Sequence, residues 1–276
     1  MKKSTRIQAA QETLAIFEAG RYTAPSGRVV EVRDVQAAAL AGTQLYTPVD
    51  SSDPVPSCVK RTGETLAEVT AETTLEAARR LAAANPMALN FASAKNPGGG
   101  FLNGSQAQEE SLARSSGLYP CLLKKRLMYD HHRQLGTCLY SDHMIYSPRV
   151  PVIRDDDGVL LETAYMASFI TSPAVNAGAV RRNEPHNVAL IRPTLAARLH
   201  KVLWVAYERG HDTLILGAWG CGVFQNDPVM IADLFVEALG PGGPFENCFT
   251  HVTFAVYDAS ARQEVLGAFQ ARMGGM

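Results

Sequence analysis

Two adjacent carboxylates that close a glycine-rich stretch are the residues of this chain that most clearly suggest chemistry. Residues 96–110 read NPGGGFLNGSQAQEE. Three successive glycines can bring backbone amides against a ligand, because no Cβ blocks the approach. Glu109 and Glu110 follow within one short loop. A phosphate cradle beside an acid/base pair predicts proton transfer on a phosphorylated substrate.

The two glutamates cannot act as an opposed pair if they lie on a helix, because adjacent helical residues point about 100° apart. One can meet the reacting bond while the other holds a neighbouring group. A helix N-terminus and Lys95 favour the ionised form, whereas an adjacent like charge and burial favour the protonated form. The sequence leaves this balance open. It also leaves open that both glutamates only favour the helix dipole.

A second glycine-rich loop, Gly217–Phe224, reads GAWGCGVF. It follows an apolar strand, and Asn226 or Asp227 can cap the next helix, with Pro228 in the first turn. Its amides can wrap a pyrophosphate, to which the helix N-terminus adds partial positive charge. The loop is neither a P-loop nor a dinucleotide fingerprint. A turn that needs glycine only for close packing is the alternative interpretation.

The elements around these loops alternate between strands and helices. The predicted strands lie at about 29–32, 66–69, 87–92, 144–146, 150–153, 166–171, 212–216 and 251–257. The first predicted helix starts after Ser4 or Thr5 and ends at Gly20, and another follows Asn226 or Asp227. The remaining predicted helices span 75–84, 109–118, 122–129, 194–208 and 259–273, and residues 47–57 are predicted to form a loop. This alternation predicts a three-layer α/β/α domain, and ligands bind such sheets where strands end and helices begin.

Composition excludes several classes of function. The 276 residues are 46% apolar with a net charge of −1, which predicts a packed core and no broad basic surface for nucleic acid. Five widely spaced cysteines without a CxxC pair predict neither a disulfide scaffold nor a zinc site. We expect reduced thiols, a cytoplasmic location, no membrane partner, no metal and no cofactor.

The motifs resemble a known family. Three glycines, seven residues and then Gln108-Glu109-Glu110 resemble the signature of poly(ADP-ribose) glycohydrolases. The element order from about residue 65 to 272 resembles the compact bacterial type, a macrodomain with an N-terminal extension. The resemblance implies a macrodomain-like catalytic domain with a mixed central sheet over residues 61–276. Residues 1–60 would then form an extension packed on that domain.

The resemblance also implies a reaction. The bond cleaved joins C1 of one ribose to the 2′-oxygen of the next, mainly at chain ends, and ADP-ribose is released. The leaving alkoxide requires a general acid. In the family the last glutamate of the signature has this role, which implies Glu110 as general acid and base. Glu109 would accept hydrogen bonds from ribose hydroxyls or orient the linkage.

An ADP-ribose site follows from the same resemblance. Asn96 would bind the distal ribose, Phe224 would pack on that ribose, and Gly217–Phe224 resembles the family's diphosphate loop. Tyr257 would stack on adenine, and Glu72 would accept from its amino group. The predicted ligand residues are Asn96, Gly98, Gly99, Gly100, Gln108, Gly220, Cys221, Gly222, Val223, Phe224, Tyr257 and Glu72.

Two alternatives stay open from the sequence. One is a non-catalytic macrodomain that binds ADP-ribose, and the other is a hydrolase of mono-ADP-ribosyl linkages on proteins. The resemblance implies poly(ADP-ribose), ADP-ribose and ADP-ribosylated carrier proteins as partners. It also implies a role in the response to DNA damage, and we expect the chain to be a monomer. His131 and His132 are expected on the surface, and Cys221 is not expected to act as a nucleophile because no paired histidine is evident.

Overall fold

A computed structural model describes residues 1–48 and 58–274. The helices are α1 (Lys3–Ala19), α2 (Arg33–Gly42), α3 (Thr74–Arg80), α4 (Gln108–Ser115), α5 (Leu118–Leu123), α6 (Leu127–Gln134), α7 (Ala177–Asn183), α8 (Ile191–Glu208), α9 (Pro228–Leu239) and α10 (Glu264–Met273). The strands are β1 (Arg21–Thr23), β2 (Val29–Glu31), β3 (Gln44–Tyr46), β4 (Leu66–Thr70), β5 (Met87–Phe91), β6 (Met144–Arg154), β7 (Leu160–Ser172), β8 (Thr213–Leu216) and β9 (His251–Ala255).

Seven strands form one mixed sheet in the order β3-β6-β7-β5-β8-β9-β4. The five strands from β7 to β4 run parallel, whereas β6 is antiparallel to both β3 and β7. Adjacent residues on β8 face opposite cores: Leu214 packs with α8, α9 and α10, and Ile215 packs with α3 and α4. Helices therefore cover both faces, and the predicted α/β fold with a mixed sheet is confirmed.

Parallel pairing brings five strand ends to one edge of this sheet. The strands β7, β5, β8, β9 and β4 end at Ser172, Phe91, Leu216, Ala255 and Thr70. Because β5 and β8 are neighbours, the segments that follow them start side by side. The two glycine-rich loops therefore leave the same sheet edge, where ligands bind in open α/β sheets.

The N-terminal segment is joined to the sheet and to α4. Strand β3 pairs with β6 at the sheet edge, while β1 and β2 form a separate hairpin. Buried Thr13 on α1 donates to the carbonyl of Arg114 at 2.6 Å and accepts from Nε of Arg154 at 2.9 Å. The predicted boundary at residue 60 stays a prediction, and most of the predicted loop at 47–57 lies outside the described residues.

Several predicted boundaries are wrong for local reasons. The first helix begins at Lys3 without a side-chain cap, whereas the sequence predicts Ser4 or Thr5 as its cap. The two helices predicted around Pro120 are three short ones, and Pro120 lies in the first turn of α5, where a missing N–H costs nothing. The runs at 144–146 and 150–153 belong to one strand, β6, with an irregular register after Ser147.

The last helix starts later than predicted. It begins at Glu264, because the Asp258 carboxylate accepts from the amides of Ser260 and Val265 and holds the intervening residues in a turn. By contrast, α1 ends at the predicted Gly20, and α9 is capped by Asp227, one of its two predicted candidates. Thr73 caps α3 in a reciprocal pair of hydrogen bonds with Glu76.

One disulfide joins Cys58 and Cys248, whose Cα atoms are 6.1 Å apart. This corrects the expectation that all five thiols are reduced, since sequence spacing gave no sign that residues 190 positions apart meet. Within residues 1–48 and 58–274, no helix has the length and apolar character needed to cross a membrane.

We expect Thr13→Val to destabilise the protein by about 1–3 kcal/mol, because it leaves a buried carbonyl and a buried guanidinium N–H without their shared hydroxyl. Thermal unfolding measures this as a lower Tm, by roughly 2–4 °C per kcal/mol for a chain of this size. Exposed Thr5 on the same helix gives the control, Thr5→Val. Equal Tm values for the two variants would contradict the assignment.

Candidate functional site

The loop after β5 turns back on itself through glycines in the left-handed region. Gly98 and Gly99 have φ values of +68° and +58°, which β-carbon-bearing residues rarely adopt. The amide of Gly99 donates to the carbonyl of Asn96 at 3.0 Å. The chain then passes through a 3₁₀ turn at Phe101–Asn103 and enters α4. The loop thereby lies against the first turn of the helix that carries both glutamates.

Gly99 is the point of closest approach between this loop and the carboxyl groups. A Cβ on Gly99 would overlap Oε1 of Glu110 and would lie 3.2 Å from Oε2 of Glu109. The neighbouring Gly100 amide donates to Oε1 of Glu110 at 2.9 Å. The amides of Gly99 and Gly100 are thus bonded within the protein, and that of Gly100 holds the Glu110 carboxyl group. Its predicted phosphate contacts stay a prediction.

Glu109 is almost completely buried, with 3% of its surface exposed. Its Oε2 accepts from the Ser93 amide at 2.6 Å. Its Oε1 is buried and has no hydrogen-bond partner among the described residues. Burial raises the pKa of Glu109 to about 8, opposed by the Ser93 amide and reinforced by the negative charge of Glu110. Glu109 is therefore mainly a neutral acid at pH 7.

Glu110 lies in a different environment, although it is the next residue. It is only half-buried, and its one protein hydrogen bond within the described part of the chain is the bond from Gly100. Its other oxygen is left without a protein partner there. As predicted, the two side chains point in different directions. Glu109 is a buried neutral acid, whereas the Glu110 carboxyl group is accessible to solvent.

Gln108 joins the start of α4 to β5. Its Oε1 accepts from the Phe91 amide at 2.8 Å, and its Nε2 donates to the carbonyl of Leu89 at 2.8 Å and to Thr74 at 3.1 Å. These bonds fix the first turn of α4 relative to the sheet. A direct ligand contact by Gln108 stays a prediction, and the observed bonds give it a positioning role.

The second glycine loop is held by its own packing. Gly220 has a φ of +74°, and a Cβ there would lie 2.5 Å from both the Ala174 Cβ and the Asn226 side chain. Asn226 donates to the carbonyl of Val175 at 2.8 Å, and buried Trp219 donates to that of Ser172 at 2.9 Å. The loop is thereby anchored to the segment that follows β7.

Three successive amides of this loop are free to bind a ligand. In the described structure, the N–H groups of Gly222, Val223 and Phe224 donate to no protein acceptor. The position of a Cβ on Gly222 is open space, and Val223 is 84% exposed. Burial raises the pKa of Cys221 to about 12, so its thiol is neutral. The loop has the chemistry of an anion site, not of a thiol nucleophile.

The predicted adenine contacts lie at the far end of the same sheet edge. Tyr257 follows β9 and is 66% exposed, as a stacking residue requires. Glu72 follows β4, and Arg80 donates to both of its oxygens, at 2.9 and 2.7 Å. Asn96 is exposed beside the first glycine loop. The roles of all three stay predictions, and Glu72 already has a cationic partner.

His132 is buried, whereas the sequence predicts a surface histidine. Its Nδ1 lies 3.2 Å from the carbonyl of Ala94, and its Nε2 lies 2.7 Å from Oγ of Ser141, which is 2.8 Å from Nδ1 of His143. Burial lowers the pKa of His132 to about 4, so the ring is neutral. The pattern of residues could not reveal this chain of bonds, because its members meet only through the turn after α6.

No cluster of three or more metal-ligating side chains occurs in the described ranges. The histidines at 131, 132 and 143 pack as rings, with the centroids of His131 and His143 4.4 Å apart.

Comparisons with known proteins agree with this geometry. Residues 10–155 match the family model for the catalytic domain of microbial-type PARG, or poly(ADP-ribose) glycohydrolase. A crystal structure of the glycohydrolase from Thermomonospora curvata, bound to the inhibitor ADP-HPD, is 50% identical with a TM-score of 0.90; the match covers 98% of this chain and 99% of that chain. One from Deinococcus radiodurans, in complex with ADP-ribose, is 47% identical with a TM-score of 0.82, covering 86% and 96%. Curated proteins gave no match.

The raised pKa of Glu109 predicts a pH-dependent effect of Glu109→Gln. The folded protein keeps this proton up to about pH 8, whereas an unfolded glutamate loses it near its ordinary 4.5. The free energy of unfolding of the wild-type protein therefore falls as the pH rises from about 4.5 to about 8. Glutamine carries no titrating proton, so the variant does not show this fall. The Tm of the variant should rise relative to wild type between about pH 5 and pH 8. Exposed Glu18 supplies the control, Glu18→Gln, and parallel Tm curves for Glu109→Gln and wild type would contradict the prediction.

Gly99→Ala tests the contact between the loop and the carboxyl groups. Alanine at a positive φ costs about 1–2 kcal/mol by itself. Gly210→Ala carries the same cost at a φ of +72°, where a Cβ meets open space. We expect Gly99→Ala to cost an additional 1–3 kcal/mol or so, because the new methyl group displaces a carboxyl group. Urea unfolding measures the difference, and equal midpoints would refute the packing argument.

Proposed function

This chain belongs to the microbial-type poly(ADP-ribose) glycohydrolase family of glycosidases, and from that premise we propose how its residues cleave the polymer. The enzyme binds the terminal ADP-ribose unit and hydrolyses its ribose–ribose O-glycosidic bond with Glu110 as general acid and base. The observation that carries this proposal is the contrast in burial between adjacent carboxyl groups. Glu110 is accessible to substrate and water, whereas Glu109 is 3% exposed and bonded to Ser93.

The diphosphate binds at the second glycine loop. The free amides of Gly222, Val223 and Phe224 and the N-terminus of α9 supply donors and partial positive charge. The adenine extends toward Tyr257, and the distal ribose lies toward Asn96 and Phe224. This orientation leads the ribose C1 toward Glu110, since the two loops leave neighbouring strands.

Cleavage begins with proton transfer from Glu110 to the 2′-oxygen of the leaving unit as the C1–O bond breaks. The Glu110 carboxylate then takes a proton from water while the water oxygen attacks C1. The products are ADP-ribose and a polymer that is one unit shorter and ends in a free hydroxyl group. Glu110 is protonated again at the end of the cycle.

The transition state carries positive charge on the ribose ring, as in glycoside hydrolysis generally. The substrate diphosphate, bent toward C1 by the two loops, contributes the opposite charge. Glu109 holds a ribose hydroxyl or orients the linkage through its buried Oε1, which has no hydrogen-bond partner among the described residues. Its neutrality leaves the site with one negative charge fewer to repel the diphosphate.

Cleavage at chain ends fits the charge distribution of the chain. A net charge of −1 does not favour long-range attraction of an internal segment of an anionic polymer. Free polymer and polymer on ADP-ribosylated carrier proteins present the same terminal unit. Both are therefore substrates in this proposal, and ADP-ribose is the product.

We expect Glu110→Gln to lower the rate of ADP-ribose release from poly(ADP-ribose) by roughly 10²–10⁴-fold, because the amide keeps the shape of the side chain but cannot donate an acidic proton. The Kd for ADP-ribose, measured by calorimetry, should stay within a few fold of wild type. The control is Glu264→Gln, which makes the same change at an exposed position. Gln108→Glu is not suitable as a control, because the Gln108 amide holds α4 against β5.

Full activity of Glu110→Gln would place the acid elsewhere. Binding of ADP-ribose without release of product by the wild-type protein would favour the non-catalytic alternative. Release from a mono-ADP-ribosylated protein, but not from the polymer, would favour the hydrolase of protein linkages.

A further inference from the structure

Tyr140 lies in the connection between α6 and β6 and adopts an uncommon backbone conformation. Its φ is +57°, in the left-handed region that disfavours bulky side chains. Such a conformation costs on the order of 1–3 kcal/mol and persists only where the surrounding structure enforces it. The side chain is half-buried, so it is not explained by burial in the core.

Buried polar bonds hold the connection on both sides of this residue. Arg198, with none of its surface exposed, donates to the carbonyl of Leu139 at 2.9 Å and to Asp142 at 3.0 Å. Glu184 accepts from the Cys138 amide at 2.6 Å. These bonds fix the chain immediately before and after Tyr140, and they determine where its ring projects.

The ring lies between the supports of the two glycine loops. Its centroid is 5.6 Å from the ring of His132 and 6.0 Å from that of Phe224. His132 bonds to Ala94, next to Ser93, whose amide holds Glu109. Phe224 belongs to the second loop. Tyr140 therefore lies beside His132, which supports the loop that holds Glu109, and beside Phe224 of the second glycine loop.

We propose that Tyr140 contacts the substrate and determines specificity: with Phe224 it forms the aromatic wall on which the distal ribose lies. The inference rests on the proposed orientation of ADP-ribose, which brings that ribose between Asn96 and Phe224. An apolar ring face suits the C–H groups of a sugar, and the two rings lie side by side with a tilt of 44° between them. Burial raises the pKa of the Tyr140 hydroxyl, which stays neutral and does not repel phosphate.

Tyr140→Gly removes the ring and retains the backbone, because glycine adopts a positive φ without strain. The control Asn85→Gly relieves a similar φ of +49° at the amino end of β5, the sheet edge opposite the site. Calorimetry gives the Kd of each protein for ADP-ribose and for ADP, which lacks the distal ribose. The polymer assay gives kcat and KM, and thermal unfolding gives Tm.

We expect Tyr140→Gly to weaken ADP-ribose binding about tenfold or more while ADP binding changes less than twofold, with Tm equal to or above that of wild type. Unchanged ADP-ribose binding and kcat/KM, or equal weakening for both ligands, would overturn the inference. If Tyr140→Gly does not fold, Tyr140→Asn decides by the same readouts, because asparagine tolerates this backbone region. Glu110→Gln tests the proposed function separately, because its outcome does not depend on the wall.

Discussion

The burial of the Glu109 carboxyl group against the Ser93 amide is the contact on which the arrangement of this site depends. It joins the loop after β5 to the first turn of α4, where the neighbouring Glu110 carboxyl group leaves no room for a side chain at Gly99. The cost of burying an ionised carboxylate is avoided because the group keeps its proton. The adjacent Glu110 is only half-buried, so one dipeptide supplies both a buried acid and a more accessible one.

The surrounding polar groups make this arrangement rigid. Gln108 fixes the helix to β5 from one side, and the neutral ring of His132 supports the loop through Ala94 from the other. Farther from the loop, Arg198 secures the connection that carries Tyr140. Each of these groups is satisfied mainly by backbone atoms. The positions of the glutamates are therefore set by the fold of the chain and depend little on flexible surface side chains.

The topology of the sheet then decides what the glutamates face. The strands β5 and β8 are neighbours and run in the same direction, which brings the loop that leads to α4 and the amide-rich second loop to the same edge of the sheet. The N-terminal segment reinforces this edge from outside through Thr13 and through the bond from Arg6 to the carbonyl of Gly104 at 2.7 Å. A reaction that needs an acid beside a bound diphosphate is compatible with this juxtaposition.

The sequence by itself determined the alternation of strands and helices, the end of the first helix at Gly20, the signature at 98–110 and the family, because these depend on local patterns. The tertiary structure decided the different environments of Glu109 and Glu110, the burial of His132, the pairing of Cys58 with Cys248 and the position of Tyr140. Each of these depends on residues far apart in the chain, whose approach no local spacing encodes. The charge state of Glu109 is a further example of a property that the sequence alone does not determine. The residue type permits both the neutral and the ionised form, and burial of the side chain by the fold favours the neutral one.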